Sequence, residues 1–399
     1  MKNILLISRC PPYPIHFGDR LIIWHLAREL HQRGYQIDLL AFANRPQDHA
    51  EIDRYRAFFR QVMLVDEPAR DYVRRVLVPG ARFPAVADEA WSPAMWRLIE
   101  SHVAQGDYSV AHLFGGVQVY EYAHALGYLP TIITPYESYS LYLKRAIESG
   151  GWRNLPVTAI SRLRRLIARQ YESWMFMPYA RTVVVSEADR DELQHINPAL
   201  RLNVIPNGIN LDYFQIQPNS REPAALLFVG NYEYAPNVDA ALRLAHHVLP
   251  RVQARVPEVK LWLVGNAPPP ELKALAGESI LVTGRVADVR LYLARATAFV
   301  CPLRLGAGIK NKVLEALAMG CPVVATSLSV DGIAVTHEQD ALVADEAALI
   351  QQTLRLLDDV DLQQKLSVNG RRLIETKYSW THVADLYAQL YEEVGRAHD

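Results

Sequence analysis

Cys301-Pro302-Leu303-Arg304-Leu305-Gly306-Ala307-Gly308-Ile309-Lys310-Asn311-Lys312-Val313-Leu314-Glu315-Ala316-Leu317-Ala318-Met319-Gly320 is the stretch that decides the reading. An apolar β-type run, Ala298–Cys301, enters it, two glycines interrupt it, and an apolar-periodic segment carries it to Gly320. That order predicts strand, loop and helix. Gly306 and Gly308 let the backbone approach a ligand closely. The free N–H groups and positive dipole end of the following helix suit a phosphate. Lys310 and Lys312 stand in the first turn, where acidic side chains are normally favoured, and an anionic ligand explains them. Glu315 lies one turn deeper on the face of Lys312. The same residues also read as a solvated i,i+3 ion pair, worth a few tenths of a kcal/mol, on an ordinary βα loop. No Gly-Lys-Ser/Thr follows, so this is not a Walker loop.

Outward from this segment, strand-like and helix-like stretches alternate along the whole chain. Asn3–Ser8, Gln36–Ala41, Tyr108–Leu113, Thr131–Thr134, Thr182–Val185 and Leu202–Ile205 read as strands, with a helix over Asp19–Arg33 stopped by Gly34. After the turn Pro206-Asn207-Gly208 and the polar stretch Gln215–Pro223 the rhythm restarts. Ala225–Val229, Lys260–Val264, Ile280–Thr283, Ala298–Cys301 and Pro322–Ala325 are the second set of strands, with a helix from Pro236 to about Arg255. Runs apolar on both faces belong to parallel sheets covered by helices. The predicted fold is α/β, with two Rossmann-like, doubly wound parallel-sheet domains facing a cleft. Their expected spans are 1–214 and 224–378, followed by a C-terminal helix within 379–399 that packs back on the first domain. In such sheets ligands bind beyond the carboxyl ends of the strands, at the switch point.

Composition narrows the function classes. Lys plus Arg (42) balance Asp plus Glu (43), which argues against a nucleic-acid-wrapping protein. Cys10, Cys301 and Cys321 are too scattered for a disulfide framework or a zinc cluster. The apolar N-terminal run is too short for a signal sequence and no stretch is long enough to span a bilayer, so a cytoplasmic protein is expected, or one held on the inner face of the membrane. Arg153, Arg162, Arg164, Arg165 and Arg169 alternate with Ile160, Leu163, Leu166 and Ile167, ahead of Trp174-Met175-Phe176. This reads equally as a basic amphipathic helix on anionic lipid and as a solvated face over core aliphatics. Asp189-Arg190-Asp191 and Asp359-Val360-Asp361 fall in the first turns of predicted helices, where acidic residues are expected, so no metal site is assigned to them.

The segment from Cys301 to Gly320 resembles the donor-site signature of the family 4 retaining glycosyltransferases. Phe228-Val229-Gly230-Asn231, Pro236-Asn237, Thr283-Gly284-Arg285-Val286-Ala287-Asp288-Val289 and the run from Ala316 to Thr326 are similar to that family too. So are Val184-Val185-Ser186-Glu187, Pro206-Asn207-Gly208-Ile209-Asn210 and Phe214. The resemblance covers nearly the whole chain and is densest beyond residue 182. It implies a GT-B fold and a sugar moved from a nucleoside diphosphate sugar to an acceptor hydroxyl with retained configuration. The context it implies is polysaccharide, glycolipid or cell-envelope glycan synthesis, with a saccharide or lipid-linked acceptor and no metal cofactor.

Residue by residue, the resemblance assigns the ribose-binding glutamate to Glu315 and the diphosphate cations to Lys312 and Lys310. The family's first glutamate falls on Ala307, which leaves the sugar to the backbone of Gly306, Ala307, Gly308 and Ile309. The arginine usual after Gly230 is replaced by Asn231, with Arg285 as its candidate substitute. Pro11-Pro12-Tyr13-Pro14-Ile15-His16-Phe17-Gly18-Asp19-Arg20 resembles the first-strand loop, so Gly18 faces the diphosphate and His16 the acceptor. The family's histidine after Thr131–Thr134 is absent. Tyr136 and Glu137 stand there, as acceptor contacts or as neighbours of a helix cap at Ser138, and His112 is a further acceptor-side candidate. A nucleotide-sugar epimerase and a non-catalytic sugar-nucleotide-binding partner are the alternative functions.

Overall fold

The computed structural model describes residues 2–15, 18–68, 92–116, 118–150, 155–217, 221–306 and 308–396. The chain forms two compact units: Met1–Leu141 with Ala159–Ile205 and Trp380–Asp399, and Tyr142–Thr158 with Pro206–Ser379. By its contacts the chain passes into the second unit after Ile205, ahead of the expected boundary at 214. Pro206–Phe214 is tied to the second unit because Ile209 N–H bonds to Tyr378 O and the Phe214 ring sits in that unit's core.

The first unit is built on β1 (Asn3–Ser8), β2 (Gln36–Ala43), β3 (Gln61–Asp66), β4 (Val110–Phe114), β5 (Thr131–Thr134), β6 (Arg181–Val184) and β7 (Leu202–Val204). Their order is β3-β2-β1-β4-β5-β6-β7, all parallel. The second unit has β8 (Ala225–Val229), β9 (Lys260–Val264), β10 (Ile280–Val282), β11 (Ala298–Cys301), β12 (Val323–Ala325) and β13 (Leu342–Val343). Its order is β10-β9-β8-β11-β12-β13, again parallel. β3 and β13 escape the sequence reading because one is an edge strand half open to solvent and the other has two residues. Chain order reverses between β1 and β4 and between β8 and β11. Those gaps are the two switch points.

The expected helix from Pro236 to Arg255 is interrupted. Ala235–Arg243 and Leu249–Gln253 flank a wide π-type turn at Leu244–Val248. Pro250 has no N–H for the carbonyl one turn back and its ring crowds that carbonyl, so the turn opens.

The C-terminal helix Trp380–Arg396 completes the first unit's core. Trp380, Val383, Ala384, Tyr387, Leu390, Tyr391 and Val394 are buried in one cluster with Ile22, Ile23 and Leu26 of helix Gly18–Gln32. Trp380 stacks on the His25 ring with centroids 5.3 Å apart.

Helix Leu155–Met175 turns Ala168, Tyr171 and Met175 inward. Its other aliphatics do not enter the core: Ile160, Leu163, Leu166, Ile167 and Trp174 are between 49% and 64% exposed. Arg165 points inward instead, to Glu192 at 2.9 Å, while Arg162 and Arg164 are exposed. Arg153 lies outside the described residues.

Candidate donor site at the second switch point

The loops that follow β8 and β11 are neighbours because these strands pair, with Leu227 opposite Phe299. Gly230 closes β8. A Cβ at Gly230 would stand 3.0 Å from the Asn237 side chain, and one at Gly265 would run into Gly230 O. Gly230 therefore leaves room for the Asn237 amide against the end of β8, and Gly265 lets its own backbone approach that of Gly230. Asn231 binds its own surroundings, accepting from Glu233 N–H at 3.3 Å and from Asn266 at 3.2 Å.

Helix Asn311–Ala318 begins at Lys310 with no side-chain cap; Val313 N–H turns back to Lys310 O at 2.9 Å, which leaves the N–H groups of Asn311 and Lys312 at the helix end for a ligand. Gly306 and Gly308 carry φ of 116° and 64°, left-handed values that suit glycine. Lys310 donates to Gly308 O. Lys312 donates to Asn237 Oδ1, and its ammonium sits 4.7 Å above the Phe228 ring. Burial pushes Lys312 down to about 8. Glu315, recessed on the same helix, is pushed by burial up to about 7, with Lys312 pulling the other way. The surface ion pair between them does not form, since the ammonium is taken by Asn237.

The predicted donor set is thus partly gathered. Gly230, Asn231, Gly306, Gly308, Ile309, Lys310, Lys312 and Glu315 flank one switch point, while Ala307 lies outside the described residues. Arg285 is exposed and follows β10, the edge strand, so it stands on the loop two strands away from that of β8.

Three groups were missed by sequence reading. Asn237 lies within a quoted motif, yet nothing in the motif says that it meets Lys312. Arg145 bonds to Gly306 O at 3.1 Å and to Asp331 at 2.7 Å, pinning the glycine loop. Arg304 forks onto Asp239 at 2.6 and 2.9 Å. Beside that loop a cavity of about 670 Å³, lined in part by Arg145, Arg304, Thr326 and Asp345, opens past the ends of β11, β12 and β13.

On the first unit, Gly18 opens helix Gly18–Gln32, and among the described residues no atom stands within 4 Å of the place a Cβ would take. His16 lies outside the described residues. His112 is a correction: it is fully buried, its Nδ1 2.7 Å from Tyr391 Oη and its Nε2 2.7 Å from Thr134 Oγ1. The terminal helix covers that face of β4, and burial holds His112 neutral, down to about 3. Tyr136 stays near the strand ends, its ring 5.8 Å from the Arg9 guanidinium, and burial raises its hydroxyl well above the usual range. Glu137 is half-buried beside it. The cap at Ser138 is real, because Ser138 Oγ accepts from Leu141 N–H, but the carboxylate that receives Tyr139 N–H is Glu172 rather than Glu137. Of the Asp-x-Asp pairs, Asp189 receives Ser138 N–H at 2.9 Å and Asp359 caps helix Val360–Lys377. The three cysteines are buried and unpaired.

With this geometry in place, comparison with known proteins is decisive. A family model described as Glycosyltransferase Family 4 matches residues 21–213, and one described as Glycosyl transferases group 1 matches residues 223–359. The chain belongs to the family 4 glycosyltransferases. It is 24% identical over 406 residues to a phosphatidyl-myo-inositol mannosyltransferase of Mycobacterium tuberculosis, covering 96% of each chain. A protein of that name from Mycolicibacterium smegmatis is 30% identical over 206 residues, 48% of this chain and 52% of that one. Among solved structures, the sucrose-phosphate synthase of Thermosynechococcus elongatus superposes with a TM-score of 0.74 at 18% identity, covering 100% of both chains. Anabaena Alr3699/HepE, solved in complex with UDP and glucose, gives 0.66 at 12% identity, covering 98% of this chain and 99% of that one. These neighbours share the GT-B fold, and this glycosyltransferase carries it in two parallel sheets. The epimerase and binding-partner alternatives give way to a transferase.

Proposed function

We propose that this glycosyltransferase moves a sugar from a nucleoside diphosphate sugar to a hydroxyl of a lipid-linked acceptor at a membrane surface, retaining the anomeric configuration and using no metal ion. The observation that carries the reading is the recessed Lys312 ammonium at the open helix end beside β8, held by a neutral amide. As the bond from C1 to the diphosphate oxygen breaks, the leaving group takes the electron pair. Lys312, Lys310 and the helix N-terminus stabilise that charge, the role a divalent ion fills elsewhere. Glu315 accepts from the ribose hydroxyls. The named relatives act on an inositol lipid and a structural neighbour holds UDP, which supports donor and acceptor classes of this kind. Incubation with UDP- and GDP-sugars, phospholipid vesicles and excess chelator should yield a glycolipid of retained configuration. An inverted product, or transfer that needs added manganese or magnesium, would be incompatible with this mechanism.

Membrane attachment is assigned to helix Leu155–Met175. Ile160, Leu163, Ile167 and Trp174 recur at helical spacing on its outer face, with Arg162, Arg164 and Arg169 at the flanks. Among the described residues no helix is long and apolar enough to cross a membrane. Each arginine near an anionic surface contributes about 1 kcal/mol, and the balanced total charge makes the attraction local. The protein should sediment with phosphatidylglycerol vesicles and ignore neutral ones. Arg162, Arg164 and Arg169 to Gln together with Leu163 and Ile167 to Ser should abolish sedimentation while nucleotide binding persists. Arg165 is left intact because it serves Glu192. Sedimentation unchanged in that variant would remove the helix from the proposal.

A further inference from the structure

We infer that Asn237 is the positioning residue for Lys312, holding its ammonium at the end of β8 as an un-neutralised charge for the donor diphosphate. This rests on the donor-site reading above and deepens it.

Asn237 is 6% exposed, and both halves of its amide are committed. Its Nδ2 donates to Asn231 O at 2.7 Å, and its Oδ1 accepts from Lys312 Nζ. A backbone carbonyl only accepts and an ammonium only donates, so the amide has one workable orientation. Gly230 creates the space, since a Cβ there would press on Asn237 Cγ at 3.0 Å. The Phe228 ring face fixes the ammonium from below.

The chemistry of the partner matters as much as its place. A carboxylate at 237 would bind Lys312 more strongly and cancel its charge. An amide oxygen satisfies one of three N–H donors and leaves the charge and two donors for a phosphate. The titratable groups that face Lys312 are Cys301, Glu315 and Lys310, and none of them forms an ion pair with it. Burial favours the neutral amine and outweighs the opposing pull of Cys301 and Glu315, so Lys312 stays charged at neutral pH but close to its deprotonation, and a bound anion would hold its proton more firmly.

The test is a titration with UDP and GDP across the neutral to alkaline range, on wild type, Asn237→Asp and Asn237→Ala. Wild-type affinity should fall as pH passes about 8. Asn237→Asp is isosteric and should move that fall upward by about one pH unit or more while weakening binding at neutral pH about tenfold. Asn237→Ala should move it downward, with a similar loss. Opposite displacements are not expected of a residue that merely fills space. If Asn237→Ala misfolds, the upward displacement in Asn237→Asp decides alone. A wild-type pH profile in Asn237→Asp overturns the inference, whereas failure of wild type to bind either diphosphate overturns the donor-site reading itself.

Discussion

Lys312→Met is expected to lower kcat/KM by about 10²–10³, the loss that follows when one preorganised donor to a developing anion is removed. It should do so without harming the fold. Lys312 has been pushed by burial from its ordinary value of 10.5 down to about 8, so the folded protein holds a charge that water would hold more readily. The unfolded chain therefore binds the extra proton more tightly between those values. Wild-type stability rises as pH climbs through that window, and below about 8 the full penalty is present. At 1.36 kcal/mol per pKa unit, that penalty has an upper bound of about 3 kcal/mol. Methionine fills similar volume against Phe228 and removes the charge, while stranding the oxygen of Asn237. The variant should melt no lower than wild type at neutral pH and lack its rise above pH 8. Assays of transfer and thermal unfolding check the two halves separately. A variant that retains near-wild-type kcat/KM would remove Lys312 from the leaving-group site. Stability spent on a charge that only a ligand can use is a common mark of a functional position.

Trp380→Ala should destabilise the first unit by about 3–5 kcal/mol, a large fraction of a typical domain's stability. Trp380 is 2% exposed and begins the helix that seals this unit's core. Its loss opens a cavity against His25 in the cluster that also holds Ile22 and Leu26 of helix Gly18–Gln32. The same helix supplies Tyr391 to His112, so the effect should reach β4. Denaturant unfolding followed by tryptophan fluorescence and by hydrogen exchange in Ile4–Ser8 checks this. A cost below about 1 kcal/mol would mean that the terminal helix is peripheral to the fold. Nucleotide affinity should be retained, because the candidate donor residues after β8 and β11 stand on the second unit, which has a core of its own.

What the chain determines by itself is local. Runs such as Ala225–Val229 and Ala298–Cys301, apolar at every position, could become little else but strands of a covered parallel sheet. The glycines at 306 and 308 and the lysines after them mark the candidate anion site on one stretch of chain, where strand, loop and helix follow directly. Tertiary structure alone decided which groups meet across long separations. His112 finds Tyr391 279 residues away, which turns a strand-end histidine from an acceptor candidate into a buried core group. Asn237 reaches Lys312 across 75 residues beside Gly230, where a Cβ would press on the Asn237 side chain. Helix Leu155–Met175 shows the limit most plainly. Periodicity located an apolar arc, but both arcs of that helix carry apolar residues, and the choice between core and solvent was made by what else packs there. Tyr171 and Met175 had partners in the sheet's cover, Ala168 is buried with them, and Ile160, Leu163 and Ile167 were left facing outward.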